Sequence, residues 1–308
     1  MKFKINVLIL CFSLILNTQA FSSNPNDSVT TRPASVLIPA KVVSLSQNNS
    51  QAIPFETKIV SFSSGNVKLH GVVYKPKGSG PFPTLLFNHG SYLETQEASN
   101  TLGPLYASHG WVFFMPSRRG QGLSRNVGHY IGDEIESARK KNGNSSAVET
   151  MVKLLKGDHL DDQMAALTWL RKQSFVTTNR IAVAGVSFGG IQTILGVENA
   201  QYCAGIDAAG AAQSWSKAPQ LQRLMLYGVK NAKAPIFFFQ AKNDYDLTPT
   251  KVLSLAMKKA RKNFQAKIYP SFGKTVQDGH AFGYFGGSVW SKDVFDFLNK
   301  YCEIEPSS

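Results

Sequence analysis

The chain has 308 residues, of which 43% are hydrophobic and 17% charged, and it carries a formal net charge of +13 at pH 7. That apolar content over that length implies a substantial buried core and excludes a disordered or low-complexity chain. The positive charge is scattered: the densest groups, Arg139-Lys140-Lys141 and Lys258-Lys259 with Arg261-Lys262, read as solvated helix faces, and no nucleic-acid-binding motif accompanies them.

Residues 1–20 read as a secretory signal peptide. Lys2 and Lys4 give a positive start, Ile5 to Leu16 is apolar apart from Asn6 and Ser13, and Thr18-Gln19-Ala20 is a small-residue cleavage site. The apolar run is shorter than the roughly 20 residues a membrane span needs, so no stable anchor is expected after cleavage near Ala20. The expected destination is secreted or periplasmic. Residues 21–55, rich in Ser, Asn, Thr and Pro, read as a flexible lead-in. Residues 56–308 read as one domain.

Thr57 to Ser63 and Val67 to Tyr74 flank Ser64-Gly65-Asn66 and predict a hairpin. Pro83 to Asn88 predicts a buried strand that ends in His89-Gly90-Ser91. A helix is expected over Leu102 to Ser108 and a second buried strand over Trp111 to Met115. Gly120 and Gly122 follow that strand, but the third glycine of a dinucleotide-binding fingerprint is missing. Arg118 and Arg119 read as structural pairs. Residues 125–158 are polar and form an insertion, with a helix over Ala147 to Leu155.

Asp158-His159-Leu160-Asp161-Asp162 looks like a metal cluster, but acidic residues opening a helix explain it through the helix dipole. Ala165, Leu167, Trp169 and Leu170 would be the buried side of that helix. No zinc-ligand spacing occurs, and neither metal nor cofactor is expected. Further strands are predicted over Ala204 to Ala208, Pro235 to Ala241 and Gln265 to Tyr269. Helices are predicted around Gln220 to Val229, Lys251 to Lys259 and Ser288 to Tyr301. Asp278 to Gly283 reads as a glycine-punctuated loop. This alternation implies an α/β fold: a mostly parallel sheet with helices on both faces.

The most informative stretch is Ile181-Ala182-Val183-Ala184-Gly185-Val186-Ser187-Phe188-Gly189-Gly190. An apolar strand breaks into G-x-S-x-G and an apolar helix follows at once, which is the context a nucleophile elbow requires. Gly185 and Gly189 are expected because a Cβ there would strike the neighbouring strand or helix. Ser187 is the candidate nucleophile. A serine hydroxyl needs a base and a group that orients the base, and in this arrangement they follow in the order Ser, Asp/Glu, His. His280 is the only histidine after Ser187 and is the candidate base. Asp244 is the candidate acid, with Asp246 as the alternative, the latter also suited to cap the next turn or helix. The oxyanion would be held by the backbone N–H of Phe188 and a second from the loop after Asn88, assigned to Ser91 with Tyr92 as alternative. His89 reads as a structural hydrogen-bonder.

From about residue 57 onward the chain resembles α/β hydrolases of the dienelactone hydrolase and prolyl-oligopeptidase-like group. The matching stretches are Asn88-His89-Gly90-Ser91, Arg119-Gly120-Gln121-Gly122-Leu123-Ser124, the elbow from Arg180 to Gly190, Asn243-Asp244 and Gly279-His280-Ala281-Phe282. The resemblance implies an eight-stranded sheet and a cofactor-free serine hydrolase. Dienelactone hydrolases proper carry a cysteine where this chain has Ser187, which turns the expectation towards a carboxylic-ester hydrolase acting on a small-molecule ester. No β-propeller precedes the catalytic part, unlike prolyl oligopeptidase, which disfavours a gated peptidase; a peptidase or amidase with the same triad is the first rival. A non-catalytic binding protein on the same fold is the other rival. Acyl and alcohol specificity and oligomeric state stay open at this stage.

Loss of Cys11 with the signal would leave Cys203 and Cys302 in an oxidising compartment. Cys203 is expected at the start of a strand and Cys302 at the end of the last helix, hence at one edge of the sheet, opposite the active site. They are either bridged there or two unrelated cysteines.

Overall fold

The computed structural model describes residues 53–303. The signal peptide and residues 21–52 of the lead-in lie outside the described residues, and Phe55, its last residue, already belongs to the first strand. The hairpin is β1 (Phe55–Ser64) and β2 (Val67–Pro76), paired antiparallel. Then come β3 (Phe82–Asn88), α1 (Gln96–Ser108), β4 (Val112–Pro116), α2 (Ile131–Lys156), α3 (Asp158–Arg171), β5 (Val176–Val186) and α4 (Phe188–Asn199). The chain continues with β6 (Gly205–Ala208), α5 (Pro219–Lys230), β7 (Ile236–Ala241), α6 (Thr248–Lys259) and β8 (Phe264–Tyr269). It closes with α7 (Val276–His280), α8 (Phe282–Phe285) and α9 (Gly287–Cys302).

The eight strands form one sheet in the order β1-β2-β4-β3-β5-β6-β7-β8. The hairpin strand β2 runs antiparallel to β4, and every pairing from β4 to β8 is parallel. Central strands are apolar on both faces because helices cover both. Successive side chains point to opposite faces. Thus Leu86, Val183 and Phe238 join α2 to α6 in one core layer, while Leu85, Phe87, Ala184, Phe237 and Phe239 join α1 and α9 in the other. Helix α4 is buried from Phe188 to Val197, lying on β5 and β6 and flanked by α3 and α5. That explains its apolar residues on all sides.

The structure departs from expectation in three places. The 125–158 insertion is helical from Ile131 rather than only from Ala147. Ile131 and Ile135, one helical turn apart, are buried, and the helix breaks at Asn142 and Gly143, where Gly143 takes a positive φ of 78°. The segment containing Asp278 to Gly283 is two short helices, not a loop. Thr275 and Asp278 form a capping box, with Asp278 N–H donating to Thr275 Oγ1 at 3.0 Å and Thr275 N–H to Asp278 Oδ2 at 2.9 Å. In α3 the buried side is Ala166, Leu167 and Leu170 together with His159, Asp162 and Gln163; Ala165 and Trp169 are only half-buried.

Cys203 and Cys302 form a disulfide with Cα atoms 5.0 Å apart. It joins the last residue of α9 to the segment just before β6, at the starting ends of the parallel strands. Arg180 Nε donates to the Cys302 carbonyl at 2.6 Å on the same edge.

Candidate active site

The chain passes from β3 to β4 on one side of the sheet and from β5 to β6 on the other, although β3 and β5 are neighbours. A crevice opens outside the carboxyl ends of strands at such a switch point. Register places Asn88 opposite Gly185, so the segment after each strand meets its counterpart there.

Ser187 sits at the tip between β5 and α4 with φ 59° and ψ −118°, a strained conformation for a residue with a side chain. Its own N–H is held by the Ala208 carbonyl at 2.9 Å. Close packing maintains the turn: a Cβ on Gly185 would collide with the Gly189 carbonyl, and one on Gly189 with the Asn88 carbonyl.

His280, the last residue of α7, reaches Ser187 Oγ through Nε2 at 2.9 Å and Asp244 Oδ1 through Nδ1 at 2.8 Å. Because an ionised carboxylate only accepts, Nδ1 carries the proton and Nε2 faces the hydroxyl as acceptor. Asp244 and His280 are buried. Asp244 Oδ1 also accepts from Tyr245 N–H at 2.7 Å, and Oδ2 from Gln240 Nε2 at 2.7 Å. Asp246 is turned away: its Oδ1 accepts from Thr248 N–H at 2.8 Å, in the first turn of α6. Asn243 holds the histidine segment in place, exchanging hydrogen bonds with both backbone groups of Phe272 at 2.9 Å and donating to the Thr275 carbonyl at 2.8 Å.

Phe188 N–H opens α4 and donates to no acceptor among the described residues. A Cβ on Gly90 would lie 3.8 Å from Ser187 Cβ, which puts the loop after β3 directly beside the serine. Gly90 N–H is engaged by Tyr284 Oη at 2.7 Å, whereas Ser91 N–H has no acceptor among the described residues.

Arg118 clamps this loop. It is buried and donates to the His89 carbonyl at 2.7 Å, to the Gly90 carbonyl, to Gln121 Oε1 at 3.1 Å and to Gln192 Oε1. Its guanidinium lies 4.9 Å from the Phe188 ring centre. Burial lowers its pKa to about 9. The Arg118 amide donates to His89 Nε2 at 3.2 Å, so the His89 proton sits on Nδ1, against the Gly90 carbonyl at 2.9 Å. Burial, followed by the Arg118 charge, holds His89 well below the ordinary histidine range, so it is a neutral structural hydrogen-bonder. Arg119 pairs with Asp162 and Asp158 at 2.6 and 2.9 Å, and Ser64 also donates to Asp162. Both arginines are structural, and this part of the acidic stretch that resembled a metal cluster is an ion-pair network.

Gln240, Tyr284 and Gln192 carried no local motif. Gln240 alone had a visible signal, as a glutamine within an otherwise apolar strand.

No curated protein matches the sequence. Among solved structures, an acylaminoacyl peptidase of Pyrococcus horikoshii is similar with a TM-score of 0.60 and 18% identity, over 82% of this chain and 43% of its own. This chain thus spans less than half the length of that peptidase. A dipeptidyl peptidase 4 of Porphyromonas gingivalis is similar with a TM-score of 0.56 and 20% identity, over 80% of this chain and 36% of its own. An esterase of Pyrococcus furiosus is similar with a TM-score of 0.59 and 16% identity, over 81% of this chain and 92% of its own. At these identities the likeness is one of fold, the α/β-hydrolase fold. The model of the dienelactone hydrolase family matches residues 69–291, from the hairpin's second strand to beyond the Ser187, Asp244 and His280 positions, and the chain belongs to that family.

Proposed function

We propose that this protein is a serine hydrolase that cleaves carboxylic esters. The observation that carries the reading is the continuous hydrogen-bonded series Ser187–His280–Asp244 on a strained elbow. Ser187 Oγ attacks the ester carbonyl as His280 Nε2 takes its proton. The N–H groups of Phe188 and Ser91 receive the oxyanion. His280 then returns the proton to the departing alcohol, and water hydrolyses the acyl-enzyme by the same route. Asp244 holds the histidine tautomer throughout. Arg118 and Tyr284 hold the loop that carries Ser91, so the oxyanion donors are in place before substrate arrives.

An ester substrate is supported by the dienelactone hydrolase family match over residues 69–291 and by the likeness to the Pyrococcus furiosus esterase. The disulfide supports an oxidising, secreted or periplasmic setting. A fluorophosphonate probe tests the nucleophile: labelling of Ser187 is expected, and a folded protein that takes no label overturns the reading. Paired ester and aminoacyl-amide substrates of one acyl group test the bond. Faster turnover of the amide would make the protein a peptidase.

A further inference from the structure

Three side chains from separate elements are joined across the histidine side of the site. Tyr245, which follows Asp244, donates from its hydroxyl to Gln277 Oε1 at 2.5 Å. Gln277, in α7, donates through Nε2 to Tyr92 Oη at 3.1 Å. Tyr92 follows Ser91 in the loop after β3. One neutral amide therefore ties the oxyanion loop to the loop of the triad acid. The Tyr245 ring stands edge-on to His280, with centroids 5.3 Å apart at 75°, and the Tyr92 ring lies 6.5 Å from that of Tyr284. Tyr92 and Tyr245 are both 39% exposed, and Leu93 and Val276, on the segments of Tyr92 and Gln277, are also exposed. Large apolar side chains left in water beside a reactive serine and histidine mark a surface that receives a ligand.

Resting on the esterase reading above, we infer that the Tyr92–Gln277–Tyr245 bridge is the specificity-determining element for the alcohol half of the ester, and that it selects alcohols carrying an aromatic ring. The side follows from proton transfer. His280 Nε2 must reach the leaving oxygen, so whatever that oxygen carries departs alongside His280. Tyr245 packs there, and Gln277 lies one turn before His280 on the same helix. The class follows from the chemistry of the bridge. The Gln277 amide is engaged by both hydroxyls, the three side chains are uncharged types, and the bridge offers aromatic rings. Such rings favour offset-stacked or edge-to-face contact with a second aromatic ring.

Benzyl butanoate and n-butyl butanoate test this, because their acyl groups are identical and their alcohols are similarly basic. For the wild-type protein kcat/KM is expected to favour the benzyl ester by about tenfold, the scale of one or two aromatic contacts. Tyr92→Leu and Tyr245→Leu should each lower that ratio about threefold. Tyr92→Phe and Tyr245→Phe, which keep the rings, should restore most of it. Gln277→Ala, which unties the rings, should lower the ratio mainly through KM. Thermal melts identify which variants are folded, and Gln277→Ala serves if a leucine variant is not. A wild-type ratio near one, or folded leucine and alanine variants that keep the wild-type ratio, overturns the inference. Fluorophosphonate labelling run beside it separates the two levels. Labelled Ser187 with no benzyl preference overturns the alcohol specificity alone. Absence of label overturns the hydrolase reading on which it rests.

Discussion

Gln240 donates to Asp244 Oδ2 at 2.7 Å, and through the same nitrogen to the Asp246 carbonyl at 3.0 Å. Asp244 thereby has both oxygens occupied before substrate arrives: one by His280 and Tyr245 N–H, the other by a buried amide from the preceding strand. A carboxylate restrained in this way cannot rotate away from the histidine. Gln240→Leu removes the donor with little change in volume. Hydrogen bonds to charged groups contribute about 1.5–3 kcal/mol, so kcat/KM should fall on the order of tenfold to a hundredfold. The fall should appear in kcat, with KM little changed; an unchanged kcat would show that Asp244 needs no such support.

Ser187→Ala should lower ester turnover by about 10⁴ or more while leaving the fold intact, because members of such a triad act as a unit. Circular dichroism and a melting curve recorded beside the rate check both halves. Retained activity in a normally melting variant would move the nucleophile elsewhere.

Asp244→Asn and Asp246→Asn should differ sharply. The first leaves an amide facing His280 and permits the wrong tautomer, at a cost of about 10⁴ in kcat. The second keeps an oxygen for Thr248 N–H and should change kcat by no more than about threefold, the scale of a retained cap. Side-by-side kcat values decide; equal losses would contradict the geometry.

Asp207 on β6 is a buried carboxyl whose pKa is raised to about 7 by burial, only partly offset by the Gly210 N–H that Oδ1 accepts at 2.9 Å. The folded protein holds this proton more tightly than the unfolded chain. Stability from this group is therefore greatest below the unfolded carboxylate pKa of about 4 and declines as pH rises through about 7. Asp207→Asn keeps an acceptor for Gly210 and carries no charge. Relative to wild type, it should gain up to about 4 kcal/mol between pH 4 and pH 8. Urea titrations of both proteins at the two pH values measure the difference; a constant gap would mean the carboxyl titrates alike in both states.

Replacing both Cys203 and Cys302 by serine should lower stability by about 2–5 kcal/mol, since the bridge closes a long loop. It lies at the edge of the sheet opposite Ser187, so kcat well below the melting temperature should stay within about twofold, as for distant independent sites. Denaturant titration and initial rates on one preparation test both. A large kcat loss without unfolding would show that α9 transmits strain to the site.

The elbow was legible because its causes are local. Gly185 and Gly189 stand two residues either side of Ser187, and the strand and helix around it announce themselves by an unbroken apolar run, although the carbonyl that a Cβ on Gly189 would strike belongs to Asn88 on another strand. His280 was legible by elimination, as the only histidine after the serine. The insertion's first helical half was not, because Ile131 and Ile135 are a thin apolar signal among polar neighbours. The two short helices around His280 were missed because their start depends on a capping box rather than on periodicity.

From the sequence alone came Ser187 as candidate nucleophile, His280 as candidate base and a sheet covered on both faces, because a glycine-flanked turn, a single later histidine and unbroken apolar strands can each be read off short stretches of chain. Tertiary structure alone decided between Asp244 and Asp246, which follow the same strand two residues apart: only the turn after β7 aims one carboxylate at His280 and the other at Thr248. It alone brought Cys203 to Cys302, Arg118 to the carbonyls of His89 and Gly90, and Tyr92 through Gln277 to Tyr245. Each of these contacts depends on how strands far apart in sequence pair, which sets what meets at the carboxyl edge of the sheet and, for the cysteines, at the opposite edge, and such pairing leaves no mark on the residues beside any one of them.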